Sequence, residues 1–353
     1  MKTLYWIDDS HDNQRLPRTA VKRQLEEGLG VVLKPDGPIN NRAEFTELLM
    51  GMNPKSTSGV IMDYQLTEIG EKKQMAFGTT WATEIRAKYP SIPVVGISHC
   101  LEKDIPKFQL ENFLAFFPRK QLTDANPKID DLRSLLKGHQ DAYRAFEKQG
   151  QKSGVDVMID LLSAPAGVID WLRGAIPSPF RGNWDKETPH AAGRWIWHDL
   201  QGKPGFMLDE LGLATHLGLN INGLRQVCSK FDFARFRGAF ASEGRPRWWV
   251  SAIRHVFETR VGSGVVGPIA NARDELLRSA RIKLAERKPL LSRPYGRPDS
   301  HEIPDCVAYE PGEIDQDEFR VQALMEDTIV DERDANPPFG FQARRIFNSK
   351  NKK

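Results

Sequence analysis

Cysteine is scarce: Cys100, Cys228 and Cys306 are the only three in 353 residues, and they lie far apart. Such spacing excludes a disulfide framework and a cysteine-ligated metal site, and it suits a reducing cytoplasm. Long apolar runs are missing as well. No stretch approaches the ~20 residues that a membrane span requires, and the N-terminus reads as a strand running into acids, not as a signal peptide. Neither sign of charge is in large excess, because the net charge is +3. Nucleic-acid binding would therefore need a local basic patch. Beyond residue 150 the chain has no nucleotide loop, no metal-ligand cluster and no nucleophile–base motif, so an enzymatic output has little support. With 40% hydrophobic and 27% charged residues, the chain is long enough for two or three domains, each with its own core.

The organising stretch is Gly59-Val60-Ile61-Met62-Asp63-Tyr64-Gln65-Leu66. A short apolar run opened by glycine and closed by a carboxylate predicts a strand buried on both faces. Leu4-Tyr5-Trp6-Ile7 is a second such run, and it ends on Asp8-Asp9-Ser10. Acids after a strand also serve as helix N-caps. Three carboxylates at one sheet edge, however, would raise one another's pKa, and a divalent cation removes that conflict. Two further apolar runs follow. Ser91–Ser98 ends on a hydroxyl and Phe113–Lys120 on the cations Arg119 and Lys120.

Acid pair, acid, hydroxyl and cation, each at the end of a successive strand, resembles the receiver domain of two-component response regulators. The resemblance covers about residues 1–125. It implies a flavodoxin-like (βα)5 domain with parallel sheet order 2-1-3-4-5 and helices on both faces. It also implies that Asp63 accepts a phosphoryl group from a sensor histidine kinase or a phosphotransfer protein. Asp8, Asp9, Asp63 and the Gln65 backbone carbonyl would then hold Mg²⁺. Ser98 and a strand-five cation would bind phosphoryl oxygens, and Phe116 would be the aromatic that follows Ser98 inward. The only catalysis expected is the domain's own phosphorylation and dephosphorylation.

Three features depart from the family pattern. The strand-five cation is normally Lys; here Arg119 holds that register and Lys120 the preferred chemistry, and the sequence leaves both open. His99 follows Ser98 where a small residue is common. Thr67–Gln74 lengthens the connection after Asp63 as a polar surface insertion.

Residues 126–150 predict an extended helix, opened by Asn126-Pro127 and followed by a linker at Gln149–Gly154. That helix either packs on its own sheet or forms the seam of a homodimer. Residues 151–290 predict a mainly α output domain with a winged-helix-like unit. Within it, residues 155–173 read as helix broken at Pro165, and Arg194–Leu200 as the start of the second domain's core. ELGLATHLGLNINGLRQVCS, residues 210–229, has the small residue (Ala214), turn glycine (Gly218), cap (Asn220) and apolar positions of a helix-turn-helix. A hairpin over Ala234–Phe240 and Arg247–Val256 would be its wing. Asn222, Arg225, Gln226, Lys230, Arg245 and Arg247 are the candidate DNA contacts. The other reading is a protein-docking module that does not touch DNA. A basic helix over Asn271–Lys288, a Pro-rich connector and a mixed-charge tail over 291–353 complete the chain.

Overall fold

The computed structural model describes residues 2–8, 19–34, 39, 42–66, 76–99, 105–123, 128–202, 206–217, 219 and 221–253. Two compact units emerge. One comprises Met1–Ser163, Leu172–Asp199 and Arg237–Arg245; the other comprises Ala164–Trp171, Leu200–Phe236 and the chain from Pro246.

The first unit is built on β1 (Lys2–Ile7), β2 (Val31–Lys34), β3 (Thr57–Asp63), β6 (Val94–Ser98) and β7 (Phe116–Pro118), with a small β4 (Gln65–Leu66) and β5 (Ala76–Phe77) between. The first five form one sheet in the order β2-β1-β3-β6-β7, all parallel. This is the expected 2-1-3-4-5 arrangement. Every residue of β3 is buried, as a central strand covered on both faces requires. Helices α1 (Thr19–Leu29), α2 (Arg42–Gly51), α3 (Gly78–Lys88) and α4 (Lys107–Leu110) connect the strands, and α5 (Lys120–Thr123) follows the last of them. Phe45 of α2 stacks on Trp81 of α3 with ring centroids 4.0 Å apart, within the core that also holds Val60, Met62, Val94 and Phe113. β4 and β5 pair antiparallel and so close the base of the polar insertion after Asp63, a hairpin that the sequence reading does not contain. The insertion itself lies outside the described residues.

Helix α6 (Ile129–Glu147) packs on its own sheet: Leu132, Leu135 and Leu136 are buried, and Gln140 donates to the Ser58 carbonyl at 3.0 Å. Its expected start at Asn126-Pro127 is outside the described residues. The Gln149–Gly154 stretch differs from the loose linker that its composition suggests. Gln149 is buried; its side chain accepts from the Trp184 amide and donates to the Lys152 carbonyl, both at 3.0 Å. Ser153 then caps α7 (Gly154–Leu162) by accepting from the Asp156 amide. The helix ends at Ser163 in the left-handed region, φ 47°, two residues before Pro165. α8 (Ala166–Ala175) follows the break.

α9 (Thr188–Arg194) continues into one π-helical stretch, Trp195–Leu200. Contrary to expectation, this segment up to Asp199 packs in the first unit. The Arg194 guanidinium donates to the carbonyls of Leu110 and Phe113 there. A strap, Arg237–Arg245, completes the unit. Its Ala239 amide donates to the Leu161 carbonyl at 2.8 Å, and buried Ser242 donates to buried Asp131 at 2.9 Å. Phe240 is buried at φ 69°, in a notch that α6 and α9 leave open at Gly138 and Gly193. A Cβ at Gly138 would stand 2.5 Å from the Phe240 ring and one at Gly193 2.7 Å from it.

The second unit contains β8 (Met207–Leu208), α10 (Glu210–His216), α11 (Ile221–Val227), a 3-10 turn over Cys228–Ala234, and β9 (Trp248–Trp249). Leu213, Ala214, Leu217, Leu219, Leu224 and Val227 are all buried, as the helix-turn-helix pattern predicts; Gly218 and Asn220 are outside the described residues. The predicted hairpin is far shorter than its aromatic and β-branched content suggests. Arg235 bridges Trp248, the Phe236 amide donates to the Arg247 carbonyl, and β9 pairs antiparallel with β8. The chain turns helical from Val250. Asn271–Lys288, the Pro-rich connector and the tail fall outside the described residues.

Candidate functional site

Parallel registers bring four strand ends level. Ile7 pairs with Met62, Asp63 with Ile97, and Ser98 with Pro118. The next residues out are therefore neighbours at one rim of the sheet, where open α/β sheets bind ligands. Asp8, Asp63, Ser98 and Arg119 are all buried there. Local backbone bonds hold each in place. The Asp8 carbonyl accepts from the Ile39 amide at 2.9 Å, the Tyr64 amide donates to the Ile97 carbonyl at 2.8 Å, and the Arg119 amide donates to the Ser98 carbonyl at 2.7 Å. α3 starts hard against this rim. A Cβ at Gly78 would collide with the Asp63 carbonyl oxygen.

The strand-five cation in the site is Arg119. One terminal guanidinium nitrogen lies 2.5 Å from Asp8 Oδ2 and the other 2.5 Å from Asp63 Oδ2. The side-chain exposures, 2% for Arg119, 0% for Asp8 and 6% for Asp63, place both ion pairs out of water. Burial alone pulls the guanidinium pKa down. The Asp63 charge, together with the hydrogen bond and charge of Asp8, more than reverses this, so the pKa rises and Arg119 stays a cation. Lys120, the alternative, opens α5 as an exposed residue. The residue types alone could not separate the two, because the choice is set by where β7 stops relative to β6.

The other oxygen of Asp8, Oδ1, is buried and has no hydrogen-bond partner among the described residues. Asp9 lies outside them. No group of three or more His, Cys, Asp or Glu side chains placed to hold a metal occurs among the described residues. Gln65 is half-buried in β4, paired with Phe77. Phe116 is buried between Phe113 and Tyr64, with ring centroids 6.1 and 6.3 Å away; the Tyr64 hydroxyl donates to Gln109 of α4. His99 is exposed.

The candidate DNA contacts separate into two groups. Asn222, Arg225, Gln226 and Lys230 are exposed on α11 and the turn after it, with Arg225 3.4 Å from Glu210. Arg247 is held inward: its Nε donates to the Gln201 carbonyl at 2.8 Å, and Asp209 lies 3.9 Å away. Arg245 belongs to the first unit, where its guanidinium lies 4.5 Å above the Trp197 ring. Among the described residues no helix is long and apolar enough to cross a membrane.

No protein-family model matches the chain, and no curated protein does. Among solved structures it is similar to a response regulator from Burkholderia pseudomallei with a phosphorylated aspartic acid, a calcium ion and citrate: 10% identity, TM-score 0.27, covering 45% of this chain and 84% of that one. The response regulator RcsB of Salmonella typhimurium gives 14% identity, TM-score 0.24, and coverage of 49% and 89%. Full-length FixJ from B. japonicum gives 12%, 0.22, and 54% and 97%. The α/β fold rests on the chain's own strand order and registers.

Proposed function

We propose that this chain is a phosphoacceptor signalling protein in which Asp63 receives a phosphoryl group from a histidine phosphate on a partner kinase or phosphotransfer protein. The observation that carries the reading is the convergence of Asp8, Asp63, Ser98 and Arg119 at one buried rim. An Asp63 oxygen attacks phosphorus, the N–P bond breaks, and the imidazole leaves with the bonding electrons, so that an acyl phosphate replaces a carboxylate. The bare, buried Oδ1 of Asp8 fits a hard cation better than a neutral donor. Asp8, Asp9, Asp63 and the Gln65 carbonyl would hold Mg²⁺, which supplies neutralisation of the phosphoryl oxygens. Ser98 donates to one phosphoryl oxygen. Arg119 keeps its salt bridge to Asp8 and turns its second nitrogen from Asp63 to another phosphoryl oxygen. Phe116, two strands from Asp63, moves with Ser98 and carries the change outward.

Asp63→Asn tests this directly. The variant should take up no label from acetyl phosphate with Mg²⁺ under conditions in which the wild type is labelled. Labelling that persists at the wild-type level would remove Asp63 from the role.

For the output we propose DNA binding through the exposed face of α11, using Asn222, Arg225, Gln226 and Lys230. A protein-docking output without DNA is the second reading. It is favoured by the inward commitment of Arg245 and Arg247, which were expected to reach phosphates.

A further inference from the structure

The two ion pairs of Arg119 use a property of arginine that lysine lacks. A guanidinium is a planar fork whose terminal nitrogens can serve two different carboxylates at once, whereas an ammonium is a compact point charge. Here one nitrogen takes Asp8 Oδ2 and the other Asp63 Oδ2, each at 2.5 Å and out of water. The fork is aimed by its backbone: the Arg119 amide is tied to the Ser98 carbonyl, and the Arg119 carbonyl accepts from Leu122 at 3.0 Å. The two acids thus share one positive charge supplied by the chain itself, while Oδ1 of Asp8 stays buried and unpartnered among the described residues. A divalent cation entering on that oxygen meets a carboxylate pair whose negative charge is already shared with a fixed positive group less than one side chain away. Its attraction is correspondingly weaker.

We infer that Arg119 is a built-in counter-cation that competes electrostatically with a divalent metal for Asp8 and Asp63, and that arginine rather than lysine at this position sets the metal affinity low. Arg119 holds both carboxylates and hands over one of them when the metal binds. This rests on the reading of Asp63 as a metal-assisted phosphoacceptor, but it is tested without phosphorylation.

The experiment is calorimetric titration of Mg²⁺, with Mn²⁺ as a second probe, into the full chain of wild type and Arg119→Lys. The ammonium brings one nitrogen where arginine brings two fixed apart, so it holds the two carboxylates less firmly; the variant should bind Mg²⁺ about tenfold more tightly than wild type, and its unfolding midpoint should rise more steeply with added Mg²⁺. A gain in affinity is an outcome that a damaged fold does not produce. Arg119→Met should tighten binding further while unfolding at lower temperature without metal, and Mg²⁺ should restore much of that loss. Should Arg119→Met fail to fold in either condition, the lysine variant alone decides. Equal or weaker Mg²⁺ affinity in Arg119→Lys overturns the inference. If acetyl phosphate still labels wild type, the phosphoacceptor reading survives that failure. Tighter metal binding with no labelling of any protein would leave the competition standing and sink the phosphoacceptor reading instead.

Discussion

Charged side chains do opposite things in the two units. At the rim of the parallel sheet, Asp8, Asp63 and Arg119 are withdrawn from water and held in a single geometry. On α11, Arg225 and its neighbours stand in solvent, and the Arg225–Glu210 pair is loose and exposed. Buried charges cost several kcal/mol to desolvate and cannot be lost singly. Exposed pairs are screened and exchange partners freely. The rim cluster of the first unit is therefore part of the fold, whereas the exposed charges of α11 can change without disturbing it.

The largest expected effect tests that contrast directly. Arg119→Ala leaves Asp8 and Asp63 facing one another in a dry site with no cation and, without added metal, should lower unfolding stability by about 3–5 kcal/mol, read from urea midpoints. A loss below about 1 kcal/mol would mean that the site is wet and would erase the distinction. Acidification comes next. His139 is buried and His198 half-buried, and desolvation, aided by Arg86 and Arg194 respectively, pulls each pKa down to about 4; His190 is lowered well below its ordinary value for the same first reason. The unfolded chain takes up these protons near pH 6.5 and the folded chain resists them, so stability rises with pH in this range. It should fall as pH drops from about 6.5 to 4, by roughly 3 kcal/mol from His139 alone. A His139→Phe variant with an unchanged slope would show that another group is responsible. Ser153→Ala, which removes the α7 cap, should cost about 1 kcal/mol in the same assay. Arg225→Ala should change stability by less than about 0.5 kcal/mol. If α11 contacts DNA, it should nevertheless weaken binding and flatten its dependence on salt, as a gel-shift series would record.

The same contrast governs what could be read in advance. Strand ends in the first unit are legible because each apolar run stops on a polar residue, so Asp8, Asp63 and Ser98 are located by one rule. The choice of Arg119 over Lys120 is not, since it depends on β7 being only three residues long and on Lys120 starting a helix. Gln149 sits in a glycine- and lysine-rich stretch, yet one amide side chain bridging Trp184 and Lys152 makes it structural. Phe240 was harder still. In Ala234–Phe240 it reads as the end of an aromatic-rich strand, but its partners, Gly138 and Gly193, are far away in sequence and carry no side chain to advertise a contact.

The strap that carries Phe240 also affects how the polypeptide comes off the ribosome. Arg237–Arg245 emerges about a hundred residues after α6, the helix it must fit against, and the second unit's chain continues on both sides of it. During synthesis the sheet can close early, but the Gly138–Gly193 notch stays open until that late segment arrives, a long-range closure of the kind that slows folding. A fragment ending at residue 125 or 150 would lack α9 and the strap that cover the face of α6, so shortening the chain at a conventional boundary should give an aggregation-prone piece rather than an independent module.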